Sequence, residues 1–105
     1  MPGSPEAEHR FEFPPEVLTE AKELEDEARR AIALLVVELH ANPWLGEPMD
    51  DRPPRVLRGC RKVRFDAEGR RGKPRFRLVY RNEPSDGAVG VMVVLAIGER
   101  RNTIA

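Results

Sequence analysis

The stretch from Cys60 to Arg81, CRKVRFDAEGRRGKPRFRLVYR, constrains this chain most, because its alternation suits a β-hairpin with two unlike faces. In the first arm, Arg61 to Phe65, Val63 and Phe65 point one way and Lys62 and Arg64 the other. In the second arm, Arg75 to Arg81, the apolar set is Phe76, Leu78 and Tyr80, and Arg75, Arg77 and Arg81 take the opposite side. Antiparallel pairing that joins the apolar sets leaves the cations on one open surface. Folding does not require that gathering and it costs repulsion, so an anionic partner is expected.

Composition sharpens this expectation. The 105 residues suffice for one domain with a modest core, and charged residues at 34% leave little apolar surplus for a second. The net charge of zero hides a division. Residues 1–51 carry 4 Lys+Arg and 13 Asp+Glu, whereas residues 52–105 carry 14 and 5, so an acidic front half of −9 joins a basic back half of +9. A basic half suggests nucleic acid or another polyanion, and the acidic half either shields it or solvates a helix. Cys60 is the only cysteine, which excludes an internal disulfide and fits a reducing compartment. No apolar run approaches transmembrane length, and MPGSPEAEHR lacks the basic-then-apolar order of a signal peptide. A cytoplasmic protein is expected.

Taken in order, residues 1–8 have nothing to bury and are expected to be disordered. His9 to Phe13 alternates as a short edge strand would, and Pro14-Pro15 ends it, with Pro15 suited to a first helical turn. From Glu16 to Ala41 the period is helical, with Leu18, Ala21, Leu24, Ala28, Ile32, Leu35 and Leu39 at three- and four-residue spacings. The polar run Glu23 to Glu27 can hold a break, with Asp26 as a cap, so this segment is a helical hairpin or one kinked helix. Asn42-Pro43 stops it. Residues 44–59, with two Gly and three Pro, read as a loop pinned to the core by Trp44, Leu45, Val56 and Leu57. After the hairpin, Asn82 to Gly87 is a turn with an Asp-Gly signal. The strand Ala88 to Gly98 is apolar on both faces and belongs inside a sheet. The expected fold is a single α+β domain over 1–105: helices packed on one face of a three- to four-stranded antiparallel sheet.

Lys62, Arg64, Arg77 and Arg100 are the main chemical candidates. On one sheet face they can orient a phosphate and stabilise the charge of a phosphoryl transition state. The alternatives are binding without chemistry and an ordinary solvated face. The tip Arg70-Arg71-Gly72-Lys73 suits nucleic-acid backbone or is a plain solvated turn. Cys60 lies among cations, which favour a thiolate, but no His is near in sequence to act as base, and a small half-buried residue is the simpler reading. His9 and His40 lack metal-ligand spacing, so no metal or other cofactor is expected. Trp44 reads as a loop anchor and Tyr80 as core. Walker, Rossmann, Gly-x-Ser-x-Gly and zinc patterns are absent from the sequence.

Several segments, in order, carry a resemblance. These are Leu57-x-Gly59-Cys60-x-Lys62-x-Arg64, Arg77-Leu78-Val79-Tyr80, and a Val-rich strand ending Ile97-Gly98-x-Arg100. With the preceding helices, residues 11 to 105 resemble the RelE/ParE superfamily of type II toxins. The resemblance implies the RelE activity: metal-independent cleavage of mRNA in the ribosomal A site, by attack of a ribose 2′-hydroxyl that leaves a cyclic phosphate. By motif position, Lys62 and Arg64 match a basic pair that holds RNA and helps deprotonate the hydroxyl. Arg77 matches the arginine that stabilises the phosphate, and Arg100 the one that assists the leaving group. Arg61, Arg70, Arg71, Lys73, Arg75, Arg81 and Arg101 would then contact RNA. Crowded cations disfavour one another's charged forms, which makes a neutral amine base possible.

Two departures accompany the resemblance. A C-terminal Tyr that stacks on a base in many members is not found up to Ala105, and such stacking is worth roughly 1–3 kcal/mol, so either a truncated chain or impaired activity is expected. The turn Asp66–Pro74 is also longer than in compact members. The ParE branch shares the fold but inhibits DNA gyrase and generally lacks the full basic set, so retention of that set favours the nuclease. A non-catalytic binding protein of the same fold is the third reading. The resemblance also implies a cognate antitoxin whose C-terminal segment wraps the toxin.

Overall fold

A run of proline and acidic residues punctuates the first third of the chain, and each break falls where that chemistry puts it. The structure is a computed structural model and describes residues 10–49, 59–69 and 71–99. Strand β1 is Arg10–Glu12, and Pro15 then opens helix α1, Pro15–Lys22, where a missing N–H costs nothing. Glu16 in the first turn and Lys22 in the last suit the helix dipole. Three residues separate α1 from α2, Asp26–Ala41, so the segment is two helices and not one kinked helix. Asp26 is not the cap: it is the first helical residue and pairs with Arg29, while Glu25 stands at the cap position without a side-chain capping bond. Asn42 leaves helical geometry at φ −145°, ψ 89°, as a residue before proline tends to.

The sheet has five strands, where three or four were expected. Beyond β1 they are β2 (Glu47–Pro48), β3 (Cys60–Phe65), β4 (Phe76–Ser85) and β5 (Ala88–Glu99), in the order β1-β5-β4-β3-β2. It is also mixed, not antiparallel, because β1 runs parallel to β5 with Arg10 opposite Val91. β2 lies inside the expected loop. Two residues, one of them proline, carry no strand signature, and only pairing with Lys62 and Arg61 makes them one. The doubly apolar β5 lies between β1 and β4, as its composition requires. The β4–β5 connection is tighter than expected: Ser85 pairs with Ala88 around a two-residue Asp86-Gly87 loop.

Both helices cover the face that carries Phe65, Phe76, Leu78 and Tyr80. Val17, Ala21, Ala28, Ile32, Leu35 and Leu39 join these with Met92, Val94 and Ile97 in the main core. Leu18 faces outward despite its place in the helical period. No described helix is long and apolar enough to cross a membrane.

Two polar clamps fix the hairpin. At one end, the Tyr80 hydroxyl donates to Pro43 O at 2.8 Å and accepts from the Gly46 N–H at 3.0 Å. Asn82 Nδ2 donates to Pro43 O and to the Asp86 carboxylate, and the Trp44 indole N–H donates to Asp86 O at 2.7 Å. Trp44 therefore anchors its loop by this bond and not by burial, since it is 50% exposed, and Leu45 is exposed too. Val56 and Leu57 lie outside the described residues. At the other end, Arg75 bonds Asp66 and Glu25, with its guanidinium 4.8 Å over the Phe76 ring.

The clamps predict acid sensitivity. Arg75 holds the Asp66 carboxyl well below the usual carboxylate range, and Arg61 lowers that of Asp86. A carboxyl depressed in the folded state binds fewer protons there than in the unfolded chain. Its stabilisation is full above the unfolded pKa, near 3.9, and is lost as pH falls through the folded value. Asp66→Asn is therefore expected to lower the urea midpoint at pH 7, with the gap to the parent closing below about pH 4. A gap that stayed constant with pH would exclude the Asp66 carboxylate as its source.

Candidate nucleic-acid interface

Strand register decides which cations meet. Phe65 pairs with Phe76, Val63 with Leu78 and Arg61 with Tyr80, all on the helix side. The other face receives Arg64 opposite Arg77, Lys62 opposite Val79 and Cys60 opposite Arg81. Lys62, Arg64 and Arg77 thus come together as expected. Like charges directly across a ladder are destabilising, and Arg64 stands directly opposite Arg77. Arg64 is exposed, Lys62 half-buried and Arg77 buried at 7% exposure. Among the described residues no carboxylate lies within ion-pair distance of Lys62 or Arg64.

β2 pairs with β3 only at Arg61 and Lys62, which leaves Val63, Arg64 and Phe65 at a free edge among the described residues. A groove of about 690 Å³ opens there between β3 and α2. Leu34, Leu35, Ala31 and Leu45 line it with Val63 and Phe65, and Lys62 and Arg64 stand at its sheet side. The groove can take an apolar or planar group beside a phosphate held by the two cations.

Other expected contacts fall elsewhere. Arg61 shares the helix side with Val63, bonds both Asp86 oxygens at 3.2 and 3.1 Å, and donates to Gly46 O at 2.6 Å. Arg75 is held in its own clamp. Both are committed to the scaffold and are withdrawn as RNA contacts. Their charge was legible in the sequence, but their internal partners depend on residues 25 and 86, distant along the chain. Arg81 lies on the same face as Lys62, where Cys60, Val79 and Ala96 form a second buried cluster, and bonds Glu83 at 3.0 Å. Arg71 and Lys73 are exposed on the long turn. Arg70, Arg100 and Arg101 lie outside the described residues. Burial pushes the Cys60 thiol up, with Arg81 opposing in part, which leaves it a poor nucleophile. No three described His, Cys, Asp or Glu side chains gather as a metal site needs.

One residue was missed. Glu47 sits directly opposite Lys62 and lines the same groove. Nothing in a Gly- and Pro-rich segment marks it, since only the β2–β3 register brings it there.

Two helices packed on one face of a five-stranded sheet, with a basic hairpin at its edge, form the RelE-like toxin fold. Solved structures give the particulars. The isolated E. coli RelE toxin superposes with a TM-score of 0.60 at 22% identity, covering 87% of this chain and 83% of that one. The toxin of the intact E. coli RelBE toxin–antitoxin complex gives 0.60 at 22%, over 87% and 95%. The Mycobacterium tuberculosis RelBE2 toxin–antitoxin complex gives 0.51 at 23%, over 89% and 99%. No protein-family model matches the sequence. No curated protein matches it either.

Proposed function

We propose that this chain is the toxin of a type II toxin–antitoxin pair and a metal-independent endoribonuclease acting on ribosome-bound mRNA. The observation that carries this reading is the basic constellation itself. On a RelE-like fold, Lys62 and Arg64 make no ion pair among the described residues and share a face with Arg77, a gathering of charge that suits an RNA phosphate. Two positive side chains beside a groove can hold the phosphate while the 2′-hydroxyl attacks it, and they stabilise the extra charge of the transition state. A cognate antitoxin is the expected protein partner, since two of the similar structures are toxin–antitoxin complexes.

The test is cleavage of mRNA on programmed ribosomes, mapped by primer extension, with the chain freed of metal by EDTA dialysis before it is added. Discrete A-site cuts leaving a 2′,3′-cyclic phosphate are the expected result. A folded chain that makes no cuts, but inhibits DNA gyrase supercoiling, would overturn it.

A further inference from the structure

The nuclease reading leaves a gap in proton chemistry. Lys62, Arg64 and Arg77 are rich in protons. A guanidinium does not give its proton up in proteins, and an amine accepts one only when neutral. These residues can hold a phosphate; the base is a neutral Lys62 amine, as the resemblance implies, or another acceptor beside it.

Five carboxylates line the groove with Lys62 and Arg64, namely Glu27, Glu38, Glu47, Asp66 and Glu68. Asp66 is committed to Arg75 through bonds of 2.8 to 3.1 Å. Glu27 and Glu38 belong to α2, across the groove from the cations. Glu68 lies beyond the end of β3, on the turn. Glu47 alone is on the neighbouring strand, and the register sets it directly opposite Lys62. Directly opposed residues of an antiparallel pair share a face, with Cβ atoms about 4.5–5.5 Å apart.

The backbone on both sides of Glu47 is held. Gly46 donates its N–H to the Tyr80 hydroxyl at 3.0 Å, and its carbonyl accepts from Arg61 at 2.6 Å. The Met49 N–H donates to Cys60 O at 3.0 Å. The carboxylate itself is exposed and makes no ion pair among the described residues. It is a solvent-reachable proton acceptor on a held backbone, opposite Lys62, the combination that in-line attack by a ribose hydroxyl needs.

We propose that Glu47 is the general base of this site, an inference that rests on the nuclease reading. A Glu47 carboxylate oxygen takes the 2′-hydroxyl proton. The 2′-oxygen forms its bond to phosphorus as the bond from phosphorus to the 5′-oxygen breaks. The products are a 2′,3′-cyclic phosphate and a 5′-oxygen that takes a proton from solvent, to which Glu47 returns the one it accepted. Lys62 and Arg64 hold the non-bridging oxygens throughout.

The experiment is single-turnover cleavage of ribosome-programmed mRNA from pH 5 to 9 by the parent chain, Glu47→Gln and Glu47→Asp, with thermal melts of each. Glu47→Gln is expected to cut roughly 10²–10⁴-fold more slowly, to melt with the parent, and to lose the rise of rate with pH on the acidic side. Glu47→Asp keeps that rise at a reduced rate. A Glu47→Gln chain that cuts within about threefold of an active parent, with the same acidic limb, overturns the assignment while leaving the nuclease reading intact. A folded parent that cuts nothing overturns both.

Discussion

Arg64→Ala is expected to slow ribosome-programmed mRNA cleavage by roughly 10²–10³-fold, the loss typical of removing one preorganised charge donor from a transition state. Arg64 is more exposed than Lys62 or Arg77 and stands across from Arg77. Its removal takes away charge and a bidentate donor without opening a cavity. The fold should not suffer: no ion pair among the described residues is lost and a like-charge contact is relieved, so the thermal midpoint should match the parent or rise slightly. Arg64→Lys should recover part of the rate, because an ammonium keeps the charge but not the planar fork. Single-turnover rates beside thermal melts check both halves. Unchanged cleavage by Arg64→Ala would remove Arg64 from the site.

Gly46→Val is expected to be severely destabilising. A Cβ at position 46 would sit 2.8 Å from Cε1 of Tyr80 and 3.0 Å from both its hydroxyl and the Lys62 carbonyl oxygen. Two of these atoms belong to a fully buried ring, and the third is backbone of the strand that β2 pairs with. Relief requires Tyr80 to leave its bonds to Pro43 and Gly46 or β2 to leave the sheet. Overpacking together with those lost bonds amounts to roughly 3 kcal/mol. In a domain of this size the melting temperature should fall on the order of 10–20 °C. Calorimetry checks this, and a shift of only a degree or two would show that the Tyr80 ring yields freely.

The strands and helices were largely legible because their periods are strong. Alternation in 60–81 put Val63, Phe65, Phe76, Leu78 and Tyr80 on the core side and left Lys62, Arg64 and Arg77 on the other, and the register bears this out. The same alternation puts Arg61 on the helix side. It was nevertheless grouped with the RNA contacts, because the sequence does not disclose that Asp86 waits for it. Arg75 misled for the same reason, its partners Asp66 and Glu25 being set by the packing of α2 against the end of the hairpin. Strand β2 was invisible because pairing, not propensity, creates it, and Glu47 was invisible with it. The parallel β1 likewise depends on a partner eighty residues away, about which local pattern is silent.

That last contact has a kinetic side. Arg10 pairs with Val91, so the first strand of the sheet has no partner until the last one has been made. On the ribosome the helices and the β3–β4 hairpin leave the tunnel before the strand that unites them. Assembly of the complete sheet therefore waits for β5, and its long-range closure makes it a slow step. The basic face of the hairpin is locked into the finished sheet only when that strand joins.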